Sequence, residues 1–279
     1  MSIIYEVLEK ILPFTFMQYD FMKNALLAML IITPLFGILG TMIVNNRMAF
    51  FSDALGHSAF TGIAIGVILG LTDTSISMVL FAVIFALLLN WIKRRNTVST
   101  DTIISVFSSL GAAVGLVVLS KNGQFAKYSN LLVGDILSIT AREIGLLFAI
   151  FIVTIVFWTT CFNSLHGMSI NETLAKSKRI KTQLLDNCFA IIIALIIMLS
   201  IKWVGILIIN ALLILPAASS RNLASNMREY HRFSVEISLF SGILGLILSY
   251  YNNTATGPTI VIVAAAVFFL TLVAKPFVK

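Results

Sequence analysis

Long apolar blocks, broken by short polar interruptions, recur along the chain from residue 24 almost to its end. A helix that crosses a bilayer needs about 20 mostly apolar residues. The pattern predicts spans at roughly 24–44, 57–71, 75–92, 103–120, 142–160, 184–201, 203–218, 235–251 and 258–274. That makes nine crossings, or eight if one short segment only dips into the membrane. The longest polar stretch, CFNSLHGMSINETLAKSKRIKTQ at residues 161–183, is too short for a soluble domain, and no Gly/Ser linker separates the blocks. The expected fold is an all-α, polytopic transmembrane helix bundle of eight to nine spans, with residues 1–279 forming a single integral-membrane domain.

Composition agrees with this pattern, since 59% of the residues are hydrophobic and only 11% charged, against roughly 25% charged in soluble domains. The N-terminus does not read as a signal peptide, because Glu6 and Glu9 precede the apolar run and no small-residue cleavage site follows it. A net charge of +7 raises nucleic acid as a partner, but in a membrane protein the placement of basic residues is more informative than their sum. With the N-terminus outside, Arg47, Lys93, Arg94, Arg95, Lys176, Lys178, Arg179, Lys181, Arg221, Arg228, Arg232, Lys275 and Lys279 face the cytoplasm, 13 of the 19 basic residues. The positive-inside bias therefore predicts an external N-terminus and a cytoplasmic C-terminus in the plasma membrane, with lipid and not nucleic acid as the surrounding partner. Cys161 and Cys188 fall at the cytoplasmic edge, where thiols stay reduced, and read as packing residues.

Within this apolar chain, Asp53 and His57 stand four residues apart. That spacing stacks them on one helix face, as two ligands of one ion require. Imidazole with carboxylate suits borderline cations such as zinc. The same residues also read as a helix start, with Ser52 or Asp53 as N-cap and His57 bonded to a nearby carbonyl. Gly56, Ser58, Ala59, Gly62, Ala64 and Gly66 give overlapping small-xxx-small spacings that permit close helix contact. Asp135 lies in a short external segment that is either a turn or a dip into the membrane, and Asp101 reads as a helix cap beside Ser99 and Thr100. The segment at about 168–181 reads as a short amphipathic helix with Ile170, Leu174 and Ile180 apolar, suited either to docking a protein or to lying on anionic lipid. His166 and His231 read as isolated, solvated residues. Neither GxxxxGK[ST] nor HExxH occurs, so neither a phosphate loop nor the usual zinc-protease signature is present.

Several motifs resemble, in order, those of the membrane permeases of ATP-binding-cassette importers for divalent metals, the zinc and manganese uptake family. They are FMQYDFMKNALLAMLI, SDALGHSAFTGIAIG, STDTIISVFSSLGAAVGLVVLS, LLVGDIL, SINETLAKSKRI and WVGILIINALLILPAASSRNLA. SINETLAKS is closest to the zinc-type members. The resemblance implies that Asp53 and His57 lie on the metal pathway. It also implies that Asn171, Glu172, Leu174, Ala175, Lys176 and Ser177 lie in the coupling helix that transmits ATPase closure. It further implies a homodimer of permeases, separate cytoplasmic ATP-binding subunits and an extracytoplasmic metal-binding protein. The chain is then not itself an enzyme and holds no permanent cofactor, its divalent cation, zinc before manganese or iron, being cargo. Gly56 and Thr61 stand where the family often has serine and proline, Arg179 and its neighbours lack the usual glycine, and Asn253 replaces a common aspartate. The residues by themselves leave open a proton-coupled secondary carrier using Asp53 and His57, and a membrane scaffold without transport.

Overall fold

The structure is a computed structural model describing residues 5–6, 15–46, 48–95, 99–121 and 123–278. Glu9, Arg47 and Lys279, used above in the leader and charge arguments, and the side chain of Asp101, expected to cap a span, lie outside the described residues. The described residues form helices joined by short turns, without a strand. The helices are α1 (Asp20–Asn45), α2 (Ala49–Ile68), α3 (Ser75–Arg95), α4 (Thr100–Lys121), α5 (Phe125–Tyr128), α6 (Ala141–Ile170), α7 (Glu172–Ser177), α8 (Thr182–Val204), α9 (Ile206–Leu223), α10 (Met227–Asn252) and α11 (Thr256–Val278). Nine helices among the described residues are long and apolar enough to cross a membrane, the larger of the two expected numbers.

Three helices begin or end well outside their apolar blocks, for local reasons. Helix α2 starts at Ala49 and not at 57, with Met48 as N-cap making no side-chain bond. Ser52 lies inside it, its hydroxyl returned to the Ala49 carbonyl at 3.1 Å. Helix α6 continues to Ile170, through ten residues that read as polar loop, and stops at Asn171, whose extended backbone (φ −155°, ψ 109°) turns the chain. Helix α10 starts at Met227 because the Asn226 side chain accepts the Glu229 N–H at 3.0 Å, while the Glu229 carboxylate accepts the Ser225 N–H at 2.9 Å. These reciprocal bonds satisfy donors that a helix start leaves open.

The chain forms two compact units. One comprises 42–132 and 154–202. In it, α2 packs on α3 and α4, and its small residues make the close approach possible. A Cβ on Gly62 would stand 2.7 Å from the Met78 Cα, and one on Gly66 would stand 2.3 Å from the Ser77 hydroxyl. Across the α4 contact, Ser58 meets Gly111, Gly115 lies against the Thr61 backbone, and the buried Thr61 hydroxyl donates to the Gly111 carbonyl. Thr61 thus forms a cross-helix bond.

The other unit comprises 1–41, 133–153 and 203–279. Here α9, α10 and α11 pack together. Gly37 of α1 lies against the backbone of Ser234 and Val235, whose neighbour bond is Ser234 hydroxyl to Gly37 carbonyl at 2.7 Å. Ser234, Ser238, Ser241, Gly242, Gly245 and Ser249 form the buried face of α10. Asn253, at φ 51°, closes α10 in the left-handed conformation that asparagine tolerates, and Thr254 N–H reaches the Ser249 carbonyl at 3.0 Å.

Gly134 and Gly205 cross backbone to backbone in this unit, both at positive φ. Gly205, at φ 81° and ψ 154°, occupies a region that is essentially glycine-only. A Cβ there would also stand 2.4 Å from the Val133 carbonyl. Gly205→Ala is expected to cost about 2–6 kcal/mol, from about 1–3 kcal/mol of backbone strain and a similar cost of overpacking. Thermal unfolding in detergent and membrane abundance measure this, and an unchanged midpoint would contradict the contact.

Candidate functional site

Asp53 and His57 fall in the interior of α2, within the unit formed by 42–132 and 154–202. The cap reading is therefore corrected: the helix already runs from Ala49, so its first turn ends before either residue could cap it. The His57 Nε2 lies 3.5 Å from the Asp53 Oδ1, and the two side chains are 36% and 40% exposed. The separation is long for a hydrogen bond, and both groups keep open faces toward whatever fills the space beside α2. Two such groups supply half of a tetrahedral zinc set. Among the described residues no third His, Cys, Asp or Glu joins them at ligand distance.

The other acidic and imidazole candidates have structural partners. Asp135 caps a 3-10 turn over Ile136–Ser138, accepting the Leu137 N–H at 3.2 Å. His231 is not a solvated residue: its Nδ1 lies 2.8 Å from the Thr41 hydroxyl, and the neighbouring Tyr230 is buried. Thr41 Oγ1 also donates to the Ile38 carbonyl at 2.6 Å, which leaves it to accept from the imidazole. His166 stacks face to face on Phe162, with ring centres 5.9 Å apart, one turn earlier in the same extended helix. Both histidines were misread because helices α6 and α10 extend over segments that look like loops. Cys161 and Cys188 are both free thiols.

Helix α7 coincides with the expected coupling segment. Its N-cap, Asn171, accepts the Leu174 N–H at 3.0 Å. Its end closes through Arg179 N–H to the Lys176 carbonyl at 2.9 Å and Ile180 N–H to the Ala175 carbonyl at 3.1 Å. That closure needs a left-handed residue, normally glycine, and here Arg179 takes it at φ 59°. The single amphipathic helix expected across Ile170, Leu174 and Ile180 is corrected to three pieces: Ile170 ends α6, Leu174 lies on α7, and Ile180 follows its closing turn. Ala175 is the buried position, while Ile170 and Leu174 are 71% and 54% exposed.

Electrostatics orders the inner side of α7. Glu172 meets Lys176 at 2.9 Å and Arg94 at 3.8 Å. The hydrogen-bonded Lys176 ammonium, with a further contribution from the charges of Lys176 and Arg94, holds the Glu172 carboxyl below its ordinary range. Arg94 also reaches the buried Asp186 at 3.1 Å and the Thr182 carbonyl at 3.3 Å. These residues border an open recess of about 1400 Å³ whose lining includes Trp91, Lys93, Arg94, Glu172, Lys176 and Asp186. The basic ends of α3 and α7 are thus brought to one place in the unit. In the sequence Arg94 stands out only as a topology charge, and Asn90 and Asp186 carry no motif. Their signal was a polar residue inside an apolar run, which marks an interior-facing position.

The nine helices of spanning length, with a polar pair inside one of them, define a polytopic helical membrane protein. The chain matches the sequence model of the ABC 3 transport family over residues 18–275, and it belongs to that family. It is 32% identical over 260 residues to the high-affinity zinc uptake system membrane protein ZnuB of Haemophilus influenzae, covering 91% of this chain and 98% of that one. It is 25% identical over 264 residues to the manganese transport system membrane protein MntC of Listeria monocytogenes, covering 93% and 92%. Among solved structures, PsaBC from Streptococcus pneumoniae in complex with Fab superposes with a TM-score of 0.78 at 25% identity, over 97% of this chain and 95% of that one.

Proposed function

We infer that this chain is the membrane-spanning permease of an ATP-driven importer of divalent metal ions, with zinc as cargo and manganese or iron next. The observation that carries this reading is the match over residues 18–275, combined with full-length similarity to zinc and manganese permeases. The higher identity to the zinc protein and the imidazole in the pair both favour zinc. Residues 1–279 act as one permease domain in the plasma membrane, its N-terminus outside and its C-terminus cytoplasmic. Two copies pair, and ATP is hydrolysed on separate cytoplasmic subunits. An extracytoplasmic metal-binding protein delivers the ion to Asp53 and His57, which contact it in passing. Helix α7, with its cap Asn171, docks the ATPase.

The test is uptake of radioactive zinc at limiting external metal in cells lacking other zinc importers, with this chain and its ATPase partner expressed together. Uptake is expected only when the phosphate-loop lysine of the partner is intact, and excess zinc should compete better than excess manganese. Uptake that persists with the ATPase inactivated would overturn this reading in favour of a secondary carrier.

A further inference from the structure

One face of α3 ends in side chains that apolar packing does not explain. Asn90 and Arg94 are one helical turn apart on it. Buried Asn90 donates to the Asp186 carbonyl at 3.2 Å and to the Asn187 side chain at 3.3 Å. Arg94 sends its guanidinium to the Asp186 carboxylate at 3.1 Å and the Thr182 carbonyl at 3.3 Å on α8, and to the Glu172 carboxylate at 3.8 Å on α7. Asp186 is only 6% exposed. A guanidinium suits this task because its planar fork holds several acceptors in fixed directions, which an ammonium cannot do. Removing one member of a covered pair leaves the other without compensation.

The neighbouring Lys176–Glu172 pair differs in kind. Both its side chains are at least half exposed and both belong to α7, so it orders that helix internally and contributes little elsewhere. Helix α7 has six residues and buries Ala175 alone. So short a helix does not hold its own position. The Arg94 fork is the charged link between it and a long helix. At the other end of α3, Gly62 of α2 lies against the Met78 backbone and Gly66 of α2 against the Ser77 side chain, so the two helices are in close contact there. Helix α2 carries Asp53 and His57.

We propose that Arg94 is a positioning residue that ties helix α7 to α3, so that displacement of α7 is passed through α3 to the helix bearing Asp53 and His57. This rests on the importer reading above. The experiment uses the complete importer, with its ATPase subunits and metal-binding protein, reconstituted in vesicles, and reads radioactive zinc moved per ATP hydrolysed. Arg94→Ala is expected to lower membrane abundance, because Asp186 loses its partner, but per inserted importer to leave ATPase co-purification and ATP hydrolysis near wild type, while zinc per ATP falls about tenfold, within the usual range of coupling between sites. Arg94→Lys should recover part of the loss, since it restores the charge without the fork. Glu172→Gln should lower the ratio in the same direction, and Arg94→Ala combined with Glu172→Gln should be no worse than Arg94→Ala alone, because the two changes cut one link.

A wild-type zinc-per-ATP ratio in Arg94→Ala overturns the proposal, and so do additive losses in the double variant. If Arg94→Ala fails to insert, Glu172→Gln decides, because it weakens the link at its α7 end, along with the Lys176 and Thr182 contacts of Glu172, and leaves Asp186 paired; a wild-type ratio there overturns the proposal. A wild-type importer without ATP-dependent zinc uptake overturns the functional reading itself. Coupled wild-type transport with an equally coupled Arg94→Ala overturns the Arg94 role alone.

Discussion

His57→Ala and Asp53→Ala are each expected to abolish zinc accumulation while the permease remains inserted and bound to its ATPase. Both side chains are about two-fifths exposed, so truncating them opens no core cavity and should leave stability almost unchanged. The loss of transport should exceed about 100-fold, since altering even a group that only orients a metal ligand costs about 10–100-fold. One chain supplies two groups 3.5 Å apart. A twofold dimer would double them to the four that a tetrahedral ion accepts. Cargo must also leave, so water or a shared ligand is as suitable as a closed cage. Uptake of radioactive zinc, normalised to membrane abundance, is the assay. Wild-type uptake in both variants would remove the pair from the pathway. His231→Ala is the contrasting control: it loses the bond to Thr41, which should cost about 1 kcal/mol of stability but leave uptake per inserted molecule unchanged.

Leu174→Asp should separate the permease from its ATPase. Leu174 is 54% exposed on a helix outside the spans, and Ile170 beside it is 71% exposed. In the proposed importer these two apolar side chains, Leu174 on α7 and Ile170 at the end of α6, are the ones the ATPase covers. The substitution leaves the buried Ala175 and the Asn171 cap in place, so α7 should persist. What changes is that docking must now bury a carboxylate without a partner, which costs at least several kcal/mol. Co-purified ATPase and zinc-dependent growth should therefore fall together, by about 100-fold or more in affinity for a loss near 3 kcal/mol. Retention of both would place the docking surface elsewhere.

The spans were legible because the bilayer imposes a length on apolar runs that no tertiary contact alters, and all nine expected runs became helices of spanning length. The Asp53–His57 face was legible for a similarly local reason, since a spacing of four on any helix brings two side chains together. Boundaries were less so. Asn226 followed by Glu229 is a capping signature visible in the sequence, yet the polar residues after it looked like loop, and α10 was read as starting too late. The same bias hid the length of α6 and the packed state of His166 and His231.

What the chain could not show by pattern is every contact between distant segments. The Thr61–Gly111 bond joins residues 50 apart, and the Arg94–Asp186 pair joins residues 92 apart. In the sequence Arg94 is one of three adjacent basic residues, and nothing local distinguishes it from Lys93 or Arg95. Gly134 and Gly205 likewise look like any loop glycines until their backbones meet. The sequence by itself determined which segments must be helical and buried in lipid, because burial of an apolar run depends on composition and length alone. Only the tertiary structure decided which polar residues face one another, because that depends on how α2, α3, α7 and α8 are rotated and aligned, and close packing of small residues sets that alignment one contact at a time.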